Sequence, residues 1–277
     1  MKFTKEQIIS ACRERLAEKM GVSGRVHIET VNKDNVKLTS ITFIEEDACI
    51  NTRPTVYAEW FEDKDYASLD EILAEFARVF KKYPSSTVDA EELFGADNVR
   101  KNVYFKLAKY DNVKDILNEY PHRVVFGDLV LTYYIVAEIN GTEGIIRVSN
   151  KVLNAIGWTE SQLYFAAKIN VANKTSVIPW DEVFENIGGF SMKLVMFDMH
   201  TDYGAAACVQ YMAQTRGRKA MIPVSIHDVI VVDMEHDIVP DEAELDKLMQ
   251  VMNYMCPDGQ MLSDHIYNFN DGEYEAA

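Results

Sequence analysis

Positive charge is scarce in this chain. Its 28 lysines and arginines face 44 aspartates and glutamates, a formal net charge of −16 over 277 residues. The imbalance is uneven: from residue 228 onward 13 acidic residues stand against Lys247 alone, and residues 51–100 hold 11 acidic against six basic. A surface of that sign repels phosphate backbones and argues against direct nucleic-acid binding. Cysteine is sparse as well. Cys12, Cys49, Cys208 and Cys256 lie far apart with no CxxC pair, which fits neither a zinc site nor a disulfide scaffold. The longest apolar stretch, around residues 129–139, is about half a membrane span. Met1-Lys-Phe-Thr-Lys-Glu-Gln7 lacks the apolar region of a secretory signal. Gly188-Gly189 is a lone pair outside any GxGxxG or Walker pattern. The expectation is a reduced, cytoplasmic protein with no membrane, nucleic-acid or cofactor contact.

What the chain does have is an ordinary apolar fraction, 48%, and clear local punctuation. Thr4-x-x-Gln7 has capping-box spacing, followed by Ile8, Ile9, Cys12, Leu16 and Met20 at helical intervals and a stop at Gly21. Segments 25–31 and 36–44 read as strands around a turn at Asn32-Lys-Asp-Asn35, and 54–61 as extended or mixed. Ser68-x-x-Glu71 opens a helix with Leu69, Ile72, Leu73, Phe76, Val79 and Phe80 on one stripe. A short acidic helix at 90–93, a strand at 103–107 and a helix at 112–119 follow. Segments 129–139 and 145–148 form a hairpin across Asn140-Gly141. Thr159 caps a helix over 160–173, with Leu163, Ala166 and Ala167 facing inward. Segments 192–197 and 205–209 read as a strand pair, then a helix at 210–217. An acidic helix runs from Pro240 to about Met255, then a strand at 262–269 and a fraying acidic tail. The pattern is α+β, mainly antiparallel sheets with helices packed on them. Proline and paired glycine mark 174–189 as a candidate linker between an N-terminal region, 1–173, and an acidic C-terminal region, 190–277.

Residues 221–233 mix apolar and ionisable side chains most densely, and include Ser225, His227 and Asp228. On a single strand Ser225 and His227 share a face while Asp228 points away, so Asp228 cannot orient His227. A helical turn between two strands instead makes Ser225-x-x-Asp228 a capping box, and Pro223 suits the strand end before it. The capped turn is the preferred reading, with 229–232 as a buried strand. An enzyme reading takes Ser225 as nucleophile and His227 or His265 as base, His265 approaching across strands. It lacks a nucleophile elbow, because Pro223 and His227 stand where GxSxG has glycine. His27, His122, His200, His227, His236 and His265 make no HxxxH or HExxH pair. Asp198 and His200 are weak metal candidates, needing His227 and His265 gathered from separate strands. Asp233-x-Glu235-x-Asp237, with His236, lacks the glycine and distal glutamate of a calcium loop.

Several landmarks carry a likeness to a family: Pro54-Thr-Val-Tyr57 with the acidic aromatic run and helix behind it, Leu163-Tyr-Phe-Ala-Ala-Lys-Ile-Asn170, Gly204-Ala-Ala-Ala207, Pro223-Val-Ser-Ile-His-Asp-Val-Ile230 and Ser263-Asp264. In these the chain resembles an uncharacterised family of acidic bacterial proteins from gut clostridia and related Firmicutes, a domain of unknown function. The family pattern after the proline is Ser-Ser-Ile-His-Glu. Val224 and Asp228 depart from it, keeping a carboxylate at 228 and losing a hydroxyl at 224. The resemblance implies fold and compartment and assigns no activity. The family's presence on mobile elements implies regulation or interference with host systems.

Three functions are carried forward. The first is non-catalytic binding of a protein with a basic surface, through the acidic C-terminal third. The second is a hydrolase or metal-dependent enzyme using Ser225, His227, Asp228 and His265. The third is nucleic-acid mimicry, which needs the carboxylates of 228–277 in a spaced double row. Folding requires burial of the strands near 129–148 and 221–232. Ile226→Asp or Leu131→Asp is therefore expected to abolish cooperative unfolding in a thermal melt, since an unpaired carboxylate would enter the core.

Overall fold

Three antiparallel sheets with helices packed on them build an α+β fold. The computed structural model describes all residues except 34–35, 47–52, 63, 84–88, 140–141, 180–191, 198–203, 236–240, 257–260 and 276–277. Two units divide the chain, Met1–Ala90 and Glu91–Ala277. The candidate linker at 174–189 thus falls inside the second unit; its residues 175–179 form a strand and 180–189 lie outside the described residues. No helix among the described residues is long and apolar enough to cross a membrane.

The first unit opens with α1 (Lys5–Met20). Thr4 Oγ1 accepts from Gln7 N at 3.4 Å, and Gln7 Oε1 accepts from Thr4 N at 2.9 Å, so the capping box is reciprocal. Gly21 ends the helix at φ 74°, a conformation glycine adopts without strain. β1 (Gly24–Lys33), β2 (Val36–Glu45) and β3 (Thr55–Tyr57) then pair in that order. α2 (Glu59–Glu62) and α3 (Leu69–Lys82) follow, the latter capped by Ser68. Ile8, Cys12 and Leu16 of α1 meet Ile41 and Phe43 of β2 and Ile72, Phe76 and Phe80 of α3 in one core.

α4 (Ala90–Phe94) spans the division. The second unit continues with α5 (Ala96–Asn102), β4 (Val103–Lys109), α6 (Tyr110–Val113) with a 3-10 turn at Lys114–Glu119, β5 (His122–Val125), β6 (Leu129–Ile139) and β7 (Thr142–Arg147). β4 pairs with one edge of β6, while β5 and β7 share the other. After α7 (Asn150–Ala155) and α8 (Glu160–Lys174) come β8 (Thr175–Pro179), β9 (Met192–Phe197), a 3-10 turn at Gly204–Ala206 and α9 (Ala207–Met212). β10 (Arg218–Pro223), β11 (Val229–Asp233), α10 (Glu242–Met255), β12 (Tyr267–Asn270) and β13 (Glu273–Glu275) complete it. The six strands order as β13-β12-β10-β11-β9-β8.

The two sheets of this unit share one core. Leu129, Leu131, Tyr133 and Ile135 of β6 join Met221, Val229, Val231 and Phe269 in it, with Leu163, Ala167 and Val171 of α8. Period-two alternation sends the other residues to opposite faces. Val130 packs with Val113 and Leu117, while Ala220, Ile222, Ile230 and Val232 pack with Leu245 of α10. At the entrance to α8, Glu160 takes Arg123 Nε at 3.1 Å and Nη2 at 2.8 Å, and accepts the hydroxyl proton of fully buried Tyr133. The Arg123 guanidinium lies 3.9 Å from the Tyr164 ring centroid. A carboxylate at the first helical residue also suits the positive end of the helix dipole.

Three sequence expectations need correction. Residues 205–209 are not a strand: alanine is the best helix former, and a short apolar run has no period to separate strand from helix. The helix expected at 210–217 ends at Met212. The last strand contracts from 262–269 to Tyr267–Asn270, and the tail folds back as β13. Asp271 at φ 49° and Gly272 at φ 84° form the turn, and Asp-Gly is a hairpin signal that was legible. α5, β5 and α7 are additional elements. Because Thr159 Oγ1 accepts from Gln162 N at the start of α8, Thr159→Ala is expected to lower unfolding free energy by about 1 kcal/mol in a denaturant titration.

Candidate functional site

The loop between β10 and β11, residues 224–228, holds three of the four catalytic candidates. Val224 N and Ser225 N both donate to the Asp228 carbonyl, at 3.2 and 3.0 Å, and close the loop. Ser225 Oγ accepts from the backbone N–H of His227 at 3.0 Å and of Asp228 at 3.1 Å. It also lies 3.5 Å from Asp228 Oδ2. The hydroxyl caps the turn as expected, but the turn is a bend and not a helical one, and the carboxylate meets the hydroxyl instead of the Ser225 N–H. Ile226 is buried in the shared core, and its carbonyl accepts from Ala205 N at 3.3 Å, pinning the loop to the Gly204–Ala206 turn.

This geometry suits a structural hydroxyl. Ser225 is 5% exposed, and its contact with His227 is to the backbone. Burial raises the Asp228 carboxyl above its ordinary value, with His227 and the Ser225 hydroxyl pulling it partly back. Cys256, at the end of α10, is near enough for the Asp228 charge to add to the rise that burial imposes on its thiol. Burial pushes the Cys12 thiol up to about 12 and raises Cys208 too. Such thiols are poor nucleophiles.

His265 belongs to a different network. Its Nδ1 lies 2.8 Å from Asp264 Oδ1 and 3.4 Å from Ser263 Oγ, and its backbone N–H donates to Ser263 Oγ at 3.2 Å. Among the described residues it has no bond to Ser225 or Asp228. The Tyr267 hydroxyl donates to Asp128 Oδ1 at 2.5 Å and stands 2.8 Å from Ser263 Oγ. A phenol has one proton; with Asp128 taking it, Ser263 supplies the second bond. Burial first, then the Asp128 carboxylate, raises the Tyr267 phenol, which stays a donor at neutral pH. Lys109 Nζ donates to Asp264 Oδ1 at 3.0 Å and holds that carboxyl below its usual range. Asp128, Lys109 and Tyr267 escaped the sequence reading because their partners lie far along the chain, Asp128 and Tyr267 being 139 positions apart. Ser263 is 1% exposed. The structure therefore builds two separate networks, each around a buried serine hydroxyl.

Asp198 and His200, like His236 and Asp237, lie outside the described residues. Among the described residues no group of three or more His, Cys, Asp or Glu is placed to hold a metal ion. Of the C-terminal carboxylates, Asp233 pairs with Lys219 at 3.0 Å and accepts from Glu235 N at 3.1 Å. Asp241 and Glu244 cap the start of α10 reciprocally, and Asp271 accepts from Gly217 N at 3.0 Å. With Asp228 and Asp264, six carboxylates are engaged in the protein's own bonds.

α10 turns Leu245, Leu248 and Met249 onto the sheet. Its outward stripe is Glu244, Lys247, Val251 and Tyr254, with Asp246 and Gln250 beside it, all exposed. Val251 is 52% and Tyr254 92% exposed.

Residues 5–205 match the family described as a family of unknown function, DUF5688. The match covers most of the chain, and the protein belongs to that family. No curated protein and no solved structure matches it.

Because burial makes Asp228 hold its proton more tightly in the folded state than in the unfolded one, its contribution favours folding at low pH. That contribution is lost as pH rises from the unfolded carboxyl range through the raised folded value. Asp228→Asn stays neutral throughout. The stability of the variant relative to wild type is expected to increase from acidic to neutral pH in paired thermal melts. A constant difference would show that the carboxylate is not desolvated.

Proposed function

We propose that this protein is a non-catalytic, cytoplasmic binding protein, regulatory or interfering with host systems, that docks a protein with a basic surface on α10. The observation that supports this most directly is the outward stripe ending in Val251 and Tyr254. A tyrosine ring standing in water beside a half-exposed valine is the composition of an interface anchor. The exposed carboxylate of Asp246 nearby supplies the complementary sign for a basic partner. The segment around them is the most acidic in the chain. The enzyme reading has less support, since Ser225 and Ser263 are buried and His265 bonds elsewhere. Mimicry of nucleic acid has less support too, since the engaged carboxylates are spread over turns, a helix cap and ion pairs.

Tyr254→Ser changes no packed group, so the variant folds. In affinity capture from the native host, a partner should be retained by wild type at about 0.05 M salt, released at about 0.5 M, and lost with Tyr254→Ser. A partner held equally in all three conditions would remove α10 as the docking surface.

A further inference from the structure

In this acidic protein one cleft has a cationic rim. It opens in the first unit between the end of α1 and the second half of α3, with a volume of about 400 Å³, lined by Lys19, Ala74, Ala77, Arg78 and Lys81. That volume falls within the range of small-molecule sites. Its polar chemistry is all of one sign: two ammonium groups and a guanidinium. Asp70 pairs with Arg15 and lies 3.3 Å from Lys19 Nζ, which accounts for one of the three. Lys81 Nζ donates to the Lys19 carbonyl at 3.4 Å, which holds its stem across the cleft. Among the described residues neither Arg78 nor Lys81 has a carboxylate partner.

Position at helix ends explains part of this, since cations near the last turn satisfy the carbonyls there. It does not explain the hollow. α3 turns Ile72, Leu73, Phe76, Ala77 and Phe80 into the core, and the small side chains of exposed Ala74 and buried Ala77 leave space beneath the cations. Their methyl groups, with the methylene stems of the lysines and arginine, make an apolar floor. A guanidinium offers a planar fork to phosphate or carboxylate, and the ammonium groups add compact charge.

We propose that this cleft binds a small amphipathic anion, with its phosphate or carboxylate head held by Arg78 and Lys81 and its apolar body on Ala74 and Ala77. The site is independent of the α10 surface and stands or falls without it. Phenyl phosphate and phenylacetate are the probes, titrated calorimetrically into the full chain. Saturable binding of at least one is expected, and the tighter of the two identifies the head group. Arg78→Glu, at an exposed position, should weaken it at least about tenfold by reversing one charge. Ala74→Leu, also at an exposed position, should weaken it similarly by filling the floor, with wild-type circular dichroism in both variants. The proposal is overturned if neither probe binds saturably, or if binding survives Arg78→Glu unchanged. Inorganic phosphate binding as tightly as phenyl phosphate would overturn the role of the alanine floor.

Discussion

One apolar core shared by two antiparallel sheets sets where everything else in the second unit can go. β6 and β11 are buried on both faces, so alternate side chains must find cover on opposite sides. Inward residues of β6 meet those of β10, β11 and β12, and the outward ones require Val113 and Leu117 on one side and α10 on the other. A polar group placed in such strands would lose water without replacement, at a cost of several kcal/mol when charged. Buried polar groups do occur there, as at Lys106 and Thr132, but the polar chemistry of the candidate site lies at loops and strand ends. There it is consumed by closing turns, as at Ser225, or by fixing an element, as Glu160 does between Arg123 and Tyr133.

This explains why a stretch that looks catalytic in one dimension closes a turn in three. Ser225, His227 and Asp228 sit together because a five-residue connection between two buried strands needs its N–H groups satisfied. A serine accepts two of them, and the Asp228 carbonyl accepts two more. The alternation argument separated His227 from Asp228 on a strand, and the capping spacing pointed to a turn. Both were legible in the sequence. The network of Tyr267, Asp128, Ser263 and Lys109 was not, because no local spacing encodes a contact between distant strands.

The same division runs through the fold. Elements announced by caps, such as Thr4, Ser68 and Thr159, begin where the spacing places them, because a cap satisfies backbone groups within three residues. The run at 205–209 failed for want of periodicity: Ala205 to Cys208 fill a core position whether extended or helical, and propensity decided the outcome. The tail failed for a different reason. Its acidic composition suggested fraying, yet Asp271-Gly272 turns it back onto β12, and the Tyr274 ring packs at a tilt against Phe269 and Phe126. Local turn chemistry outweighed charge.

Charge itself divides along similar lines. Net charge predicts sign at a distance, but what a carboxylate does is set by its nearest donor. Six of the C-terminal carboxylates have such donors within the protein. The acidity of the C-terminal third is thus partly a folding device. The first unit shows the converse: three cations gather over a hollow, and among the described residues only Asp70 answers one of them. An acidic chain that leaves Arg78 and Lys81 without a carboxylate partner among the described residues, over an apolar floor, has assembled local chemistry opposite in sign to its average. Family membership bears on these two surfaces differently. The matched residues, 5–205, contain the whole cleft and none of α10.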